Sequence, residues 1–158
     1  MKTHIHIRSI GKPQETWMQD AAAMYLTRCR TMGKFEMLEL SEGNQGSAKP
    51  DIARTKQTEA EELLKNLPKN NYVIALDENG QQLTSPALAG LLEKEASLGK
   101  TLTFQIGGSW GLDESLIQKA DLVLSLGKMT FPHAIAKILL LEQLYRAHTI
   151  IAGKEYHK

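Results

Sequence analysis

The chain has 158 residues, 42% hydrophobic and 23% charged, a balance that excludes a disordered or collagen-like chain and suits one compact domain over residues 1–158. Lys plus Arg number 19 against 18 for Asp plus Glu, a formal net charge of +1, so no global field draws the protein to nucleic acid or membrane and a polyanionic partner must meet a local patch. The single cysteine, Cys29, excludes an intramolecular disulfide or a zinc centre of several thiolates and fits a reducing cytoplasm; the N-terminal segment suits no signal peptide, and AIAKILLLEQL, broken by Lys137 and Glu142, suits no membrane span.

His4 to Ile10 alternates polar and apolar residues and predicts a first strand, ended by Gly11 and Pro13. Gln14 to Arg30 predicts a helix, with Trp17, Ala21, Met24 and Arg28 on one face; Trp17, Met24 and Tyr25 read as core and Cys29 as packing. Phe35 to Leu40 reads as a second strand, Ser41 to Asp51 as an exposed mobile loop, and Ile52 to Leu67 as a charged helix. Tyr72 to Leu76 (YVIAL) is the next strand, followed by a tight turn in DENG where Asn79-Gly80 tolerates positive φ. Ser85-Pro86 starts a helix to about Leu98, the serine serving as cap. Thr101 to Ile106 is a strand, Glu114 to Lys119 a short helix, Leu122 to Leu126 the last strand, and His133 to about Ala147 a final helix before a polar tail. This alternation implies an α/β fold, a mostly parallel sheet with helices on both faces.

In such sheets ligands bind beyond the carboxyl ends of the strands. Three strand exits stand out: Leu76 with Asp77 and Glu78, the run Gly107-Gly108-Ser109-Trp110-Gly111, and Gly127-Lys128-Met129-Thr130-Phe131-Pro132-His133. Together they suit an apolar slot edged by backbone donors and acceptors, apt for a purine-containing cofactor. Glycine spacing alone decides nothing, since neither the phosphate-loop pattern nor G-x-G-x-x-G is met and simple turn chemistry explains the glycines equally well.

His4 and His6 share a strand face, as metal binding would permit, but no carboxylate or cysteine lies nearby in sequence; they read as exposed strand residues, and no metal is expected. His133 opens a helix, where contact with free backbone groups explains it as well as a binding role does. The terminal Glu155-Tyr156-His157-Lys158 reads as a frayed end or as an aromatic, an imidazole and an ammonium able to stack on and hydrogen-bond a base. From Lys128 onward there are five Lys/Arg (Lys128, Lys137, Arg146, Lys154, Lys158) against two acids, a local +3 that suits a solvated helix face or an RNA-facing patch.

The blocks YVIALDENG, FQIGGSWGL, LSLGKMTFPHAIAKILLLEQLYRA and the terminal YHK closely resemble the ribosomal RNA large subunit methyltransferase H family, within the SPOUT superfamily of knotted methyltransferases. The likeness runs from the first strand to the last residue; the loop from Ser41 to Pro50 carries no signature. It implies a C-terminal trefoil knot, a homodimer with a composite site, and S-adenosylmethionine held by Leu76, Gly108, Leu126, Gly127, Lys128, Met129, Thr130 and Phe131. It also implies methylation of N3 of a pseudouridine in 23S rRNA on assembled ribosomes in the cytoplasm. His157, Arg146 and Tyr156 would then be catalytic, with His157 the first candidate for the base, while His133, Glu142 and Lys158 would face substrate. Gly127 stands where relatives often have serine or alanine, and Trp110 where smaller or polar residues also occur. Two other readings stay open: a non-catalytic RNA- or ribosome-binding module on the same fold, and a small nucleotide-binding hydrolase, which the missing phosphate loop disfavours.

Overall fold

The computed structural model describes residues 2–44 and 48–158; Gln45, Gly46 and Ser47, from the expected loop, lie outside the described residues. Its elements in order are β1 (His4–Ile10), α1 (Thr16–Arg30), β2 (Lys34–Leu40), α2 (Ile52–Leu64), β3 (Asn71–Gln82), α3 (Ser85–Ser97), β4 (Thr101–Ile106), α4 (Glu114–Lys119), β5 (Leu122–Ser125) and α5 (His133–Ile151). The five strands form one sheet in the order β2-β1-β4-β3-β5, and every pairing is parallel.

The period of two in β1 sends Ile5 and Ile7 to one face, where they pack with Ile74, Leu102 and Phe104 under α1, α3 and α5. Leu140, Leu141 and Leu144 of α5 are fully buried there, which makes α5 the central helix of that layer. On the opposite face α2 and α4 pack Ala60, Leu63 and Leu116 against Ile10 and Ala75, towards the carboxyl ends of β1 and β3. Arg8 fixes α2 in place: buried beside the sheet, it donates to the carbonyls of Leu63 (3.1 Å), Lys65 and Asn66 (3.0 Å), satisfying acceptors that a helix end leaves free.

Four local readings are corrected. DENG makes no hairpin turn: β3 continues to Gln82, and its ladder with β5 skips from Leu76 to Gln81, so residues 77–80 are an excursion within the strand. Gly80 is needed there for close approach, since a Cβ would sit 2.6 Å from the Val123 carbonyl oxygen. The cap of α3 is Thr84, whose Oγ1 accepts from Ala87 N at 3.1 Å, while Ser85 donates to Gln143 Oε1 at 2.6 Å. The final helix runs past Ala147 to Ile151. On α1, the buried side chains are Ala22, Leu26 and Cys29; Trp17 and Met24, expected in the core, are 56% and 43% exposed. Tyr25 does pack against the core, and Cys29 is wholly buried with its thiol pushed up to about 12, chiefly by desolvation. None of the described helices is long and apolar enough to cross a membrane.

Candidate active site

The carboxyl ends of β3, β4 and β5 and the start of α5 enclose a cleft of about 800 Å³, within the usual span of about 300–1,000 Å³ for ligand sites. All three strand exits singled out above reach it. Leu76, Gly108, Leu126, Gly127, Met129, Thr130, Phe131 and His133 line it; Lys128 does not, and its side chain is exposed. Ile106, Leu124 and Ala136 also line the cleft and were not singled out by sequence; the signal was available in their places, at the ends of the two strands that run into glycine exits or one turn into α5.

The cleft is built for close contact with backbone. At Gly107 a Cβ would lie 2.5 Å from the carbonyl carbon of Gly111, so only glycine lets the β4 exit fold back on itself, which it does through the Gly108–Gly111 bridge. Ser125 braces the opposite rim: its Oγ donates to Glu78 O (3.0 Å) and accepts from Gly127 N (3.1 Å), while Thr130 donates to the Glu78 carboxylate. Trp110, 45% exposed, and Met129, 76% exposed, stand at the mouth. Leu76, Ile106, Leu124, Leu126 and Phe131 give the interior an apolar lining with glycine backbone at its edge. That combination fits an adenine-containing cofactor, whose rings need apolar walls and whose edges need main-chain partners. Burial holds the His133 imidazole below its ordinary value; the Glu42 carboxylate opposes this shift and Lys137 adds to it.

The remaining predicted residues gather elsewhere. Near the far end of α5, Arg146 Nη2 lies 2.6 Å from Glu142 Oε1, Tyr156 donates to the same oxygen at 3.2 Å, and the guanidinium covers the Tyr156 ring at 4.8 Å. Arg146 Nη1 lies 3.4 Å from His157 Nδ1, and Tyr145 meets Tyr156 edge-on. The tail is thus held on α5 by the Tyr156 hydrogen bond to Glu142 and two aromatic contacts; Lys158 is exposed beyond them. His133 and Arg146 are thirteen positions apart on one straight element, about 20 Å along the axis at about 1.5 Å per residue. Within one chain, therefore, the cleft and the basic, aromatic cluster occupy different stretches of α5.

The charge reading is corrected at Lys137. That ammonium is buried between Ser9 Oγ and Glu39 Oε2, each at 3.0 Å, and is not available to phosphate. His4 and His6 are also less open than expected, with side chains 33% and 15% exposed.

A parallel α/β sheet with a glycine-edged cleft at its carboxyl end defines a cofactor-binding protein of the open-sheet class. The family model described as Predicted SPOUT methyltransferase matches residues 3–157, and the chain belongs to that family. It is 41% identical to Ribosomal RNA large subunit methyltransferase H of Geobacter metallireducens, over 94% of each chain, and 39% identical to the protein of that name from Ruminiclostridium cellulolyticum, over 98% of this chain and 99% of that one. Among solved structures, a probable methyltransferase of Bordetella pertussis Tohama I superposes at a TM-score of 0.56, with 17% identity over 92% of this chain and 96% of that one. A Legionella pneumophila protein in complex with the bound cofactor SAM superposes at 0.54, with 12% identity over 92% and 66%. These two likenesses concern the fold.

Proposed function

We propose that this chain transfers a methyl group from S-adenosylmethionine to N3 of a pseudouridine in 23S rRNA on assembled ribosomes, as a homodimer whose two active centres each draw on both subunits. Membership of the family and the names of relatives matched over 94% or more of their length support the reaction and the RNA class. The separation of His133 from Arg146 along α5 supports the dimer: a two-fold axis near Leu139, midway between them, would set one subunit's cluster against its partner's cleft. Leu139 is 38% exposed, and exposed Trp17 and Met24 on α1, which packs beside α5, supply apolar surface for such a contact. The trefoil knot belongs to this reading, and the shared cleft of the 107–111 and 126–132 segments is consistent with it.

When bound, S-adenosylmethionine supplies an electrophilic methyl for in-line displacement. The protein's part is alignment and exclusion of water. Leu76, Gly108, Leu126, Gly127, Met129, Thr130 and Phe131 would hold the cofactor, while Lys128 would contribute main chain, its side chain lying outside the cleft. The acceptor nitrogen carries a proton in the neutral base, which His157 Nδ1 would remove as Arg146 turns from it to the imide oxygen or a phosphate. Tyr156 would stack on the base, and His133, Glu142 and Lys158 would face the RNA.

Labelled methyl transfer to ribosomes lacking the modification, beside protein-free 23S rRNA, tests this reading, with the nucleotide identified by mass spectrometry. Label on a pseudouridine of intact ribosomes is expected. Cofactor and RNA binding with no label would make the chain a non-catalytic module on this fold.

A further inference from the structure

Away from the cleft, the amino-terminal half of the sheet's second face carries side chains that methyl transfer does not use. His4 and His6 rise from this face of β1, and the strand register sets His6 opposite Glu36 on the edge strand β2. The three side chains converge. The two Nε2 atoms lie 3.1 Å apart, His6 Nε2 is 3.1 Å from Glu36 Oε2, and His4 Nε2 is 3.5 Å from Glu36 Oε1. A tetrahedral zinc ion with ligand bonds near 2.0–2.2 Å keeps its donor atoms about 3.3 Å apart. The spacing already present is that of three corners of such a polyhedron.

The donor atoms themselves are prepared for a metal ion. Thr101 Oγ1 lies 3.3 Å from His4 Nδ1, placed to accept that ring proton and leave the Nε2 lone pair free, the second contact that metal-bound histidines commonly make. Burial holds the His6 imidazole below its ordinary value, which Glu36 opposes and His4, Arg8 and Lys34 reinforce, so the ring is neutral at neutral pH. Glu36, its side chain 53% exposed, leaves the fourth corner open to water. Two cations compete: the Arg8 guanidinium is drawn to the carbonyls at the end of α2, and Lys34, 3.5 Å from Glu36 Oε1 on an exposed side chain, makes a surface pair that is readily given up.

We propose that His4, His6 and Glu36 bind one divalent transition-metal ion of the zinc type, with water completing the coordination. Two imidazoles and one carboxylate select zinc, nickel or copper over magnesium or calcium, which prefer all-oxygen sites. The ion ties the edge strand β2 to β1 at the start of the strands, about 20 Å of strand from the cleft at their ends, so it stabilises the sheet and takes no part in methyl transfer. The sequence reading expected no metal because it lacked a neighbouring carboxylate; strand pairing supplies one thirty residues on.

The test is titration of zinc chloride into the untagged, chelator-treated full chain, read by competition with a chromogenic zinc indicator and by thermal unfolding. One ion per chain and a raised unfolding midpoint are expected. His6→Gln and Glu36→Gln should each weaken binding about tenfold or more and abolish the midpoint rise, with circular dichroism reporting that both variants remain folded. Failure to bind zinc saturably would overturn the proposal. So would unchanged affinity in either folded variant, which puts the ion elsewhere, or magnesium binding as tightly as zinc.

Discussion

His157 touches Arg146 and nothing of its own chain's cleft, so its role is tested by chemistry and not by binding. As the base that removes the acceptor proton, it predicts a fall of about a hundredfold in single-turnover rate for His157→Ala, with cofactor affinity retained. An unchanged rate removes it from the role. Gly108 lines the cleft, and Gly108→Arg fills that space with a side chain; titration calorimetry should register no cofactor binding. Cys29 makes the opposite prediction: a wholly buried thiol raised to about 12 should react with a thiol reagent only as fast as the protein unfolds. These positions differ in how far sequence alone exposes them. The glycine exits could be read because backbone approach demands glycine wherever it occurs. The burial of Lys137 could not, because its partners, Ser9 and Glu39, come from the strands β1 and β2, about a hundred residues or more away in the chain.

At the scale of elements, α2 depends on one side chain that is not its own. Arg8 gathers three carbonyls at the end of that helix, and Arg8→Ala leaves them without their charged donor, an expected loss of about 2–4 kcal/mol in denaturant unfolding. All ten elements were legible, the strands by alternation or apolar runs, α1 by a spacing of three to four, α2 by its charged, helix-favouring composition and α3 by its Ser-Pro start. Periodicity chose the wrong face of α1. Trp17 and Met24 obey the same period as Ala22 and Leu26, and only the packing of α1 on α5 determines which stripe is buried. DENG failed for a related reason: its turn chemistry is real, but the β5 partner draws the chain on as strand. The His4, His6 and Glu36 cluster was equally illegible, since it exists only through the β1–β2 register.

For the molecule as a whole, acid should act through buried histidine. His148 is 4% exposed, packed against the Phe35 ring and bonded to Thr3 and to the Leu144 carbonyl, and burial lowers its pKa below the ordinary 6.5. The unfolded chain then binds the proton better, so this contribution to stability is full above the ordinary value and is lost as pH falls through it towards the folded one. The unfolding midpoint should drop as pH falls below the ordinary histidine value, and His148→Gln should flatten the drop.

The central claim is that each active centre is shared between two chains, with His133 at the cleft and Arg146 in the cluster about 20 Å apart along α5 of one subunit. Subunit complementation tests it most directly: Gly108→Arg and His157→Ala chains, each inactive alone, are mixed and allowed to exchange. A shared centre predicts that random pairing restores about a quarter of the unmutated activity, since half the dimers are mixed and each holds one intact site. Mixed dimers that form and stay inactive, or activity in a chain that remains monomeric, would contradict it.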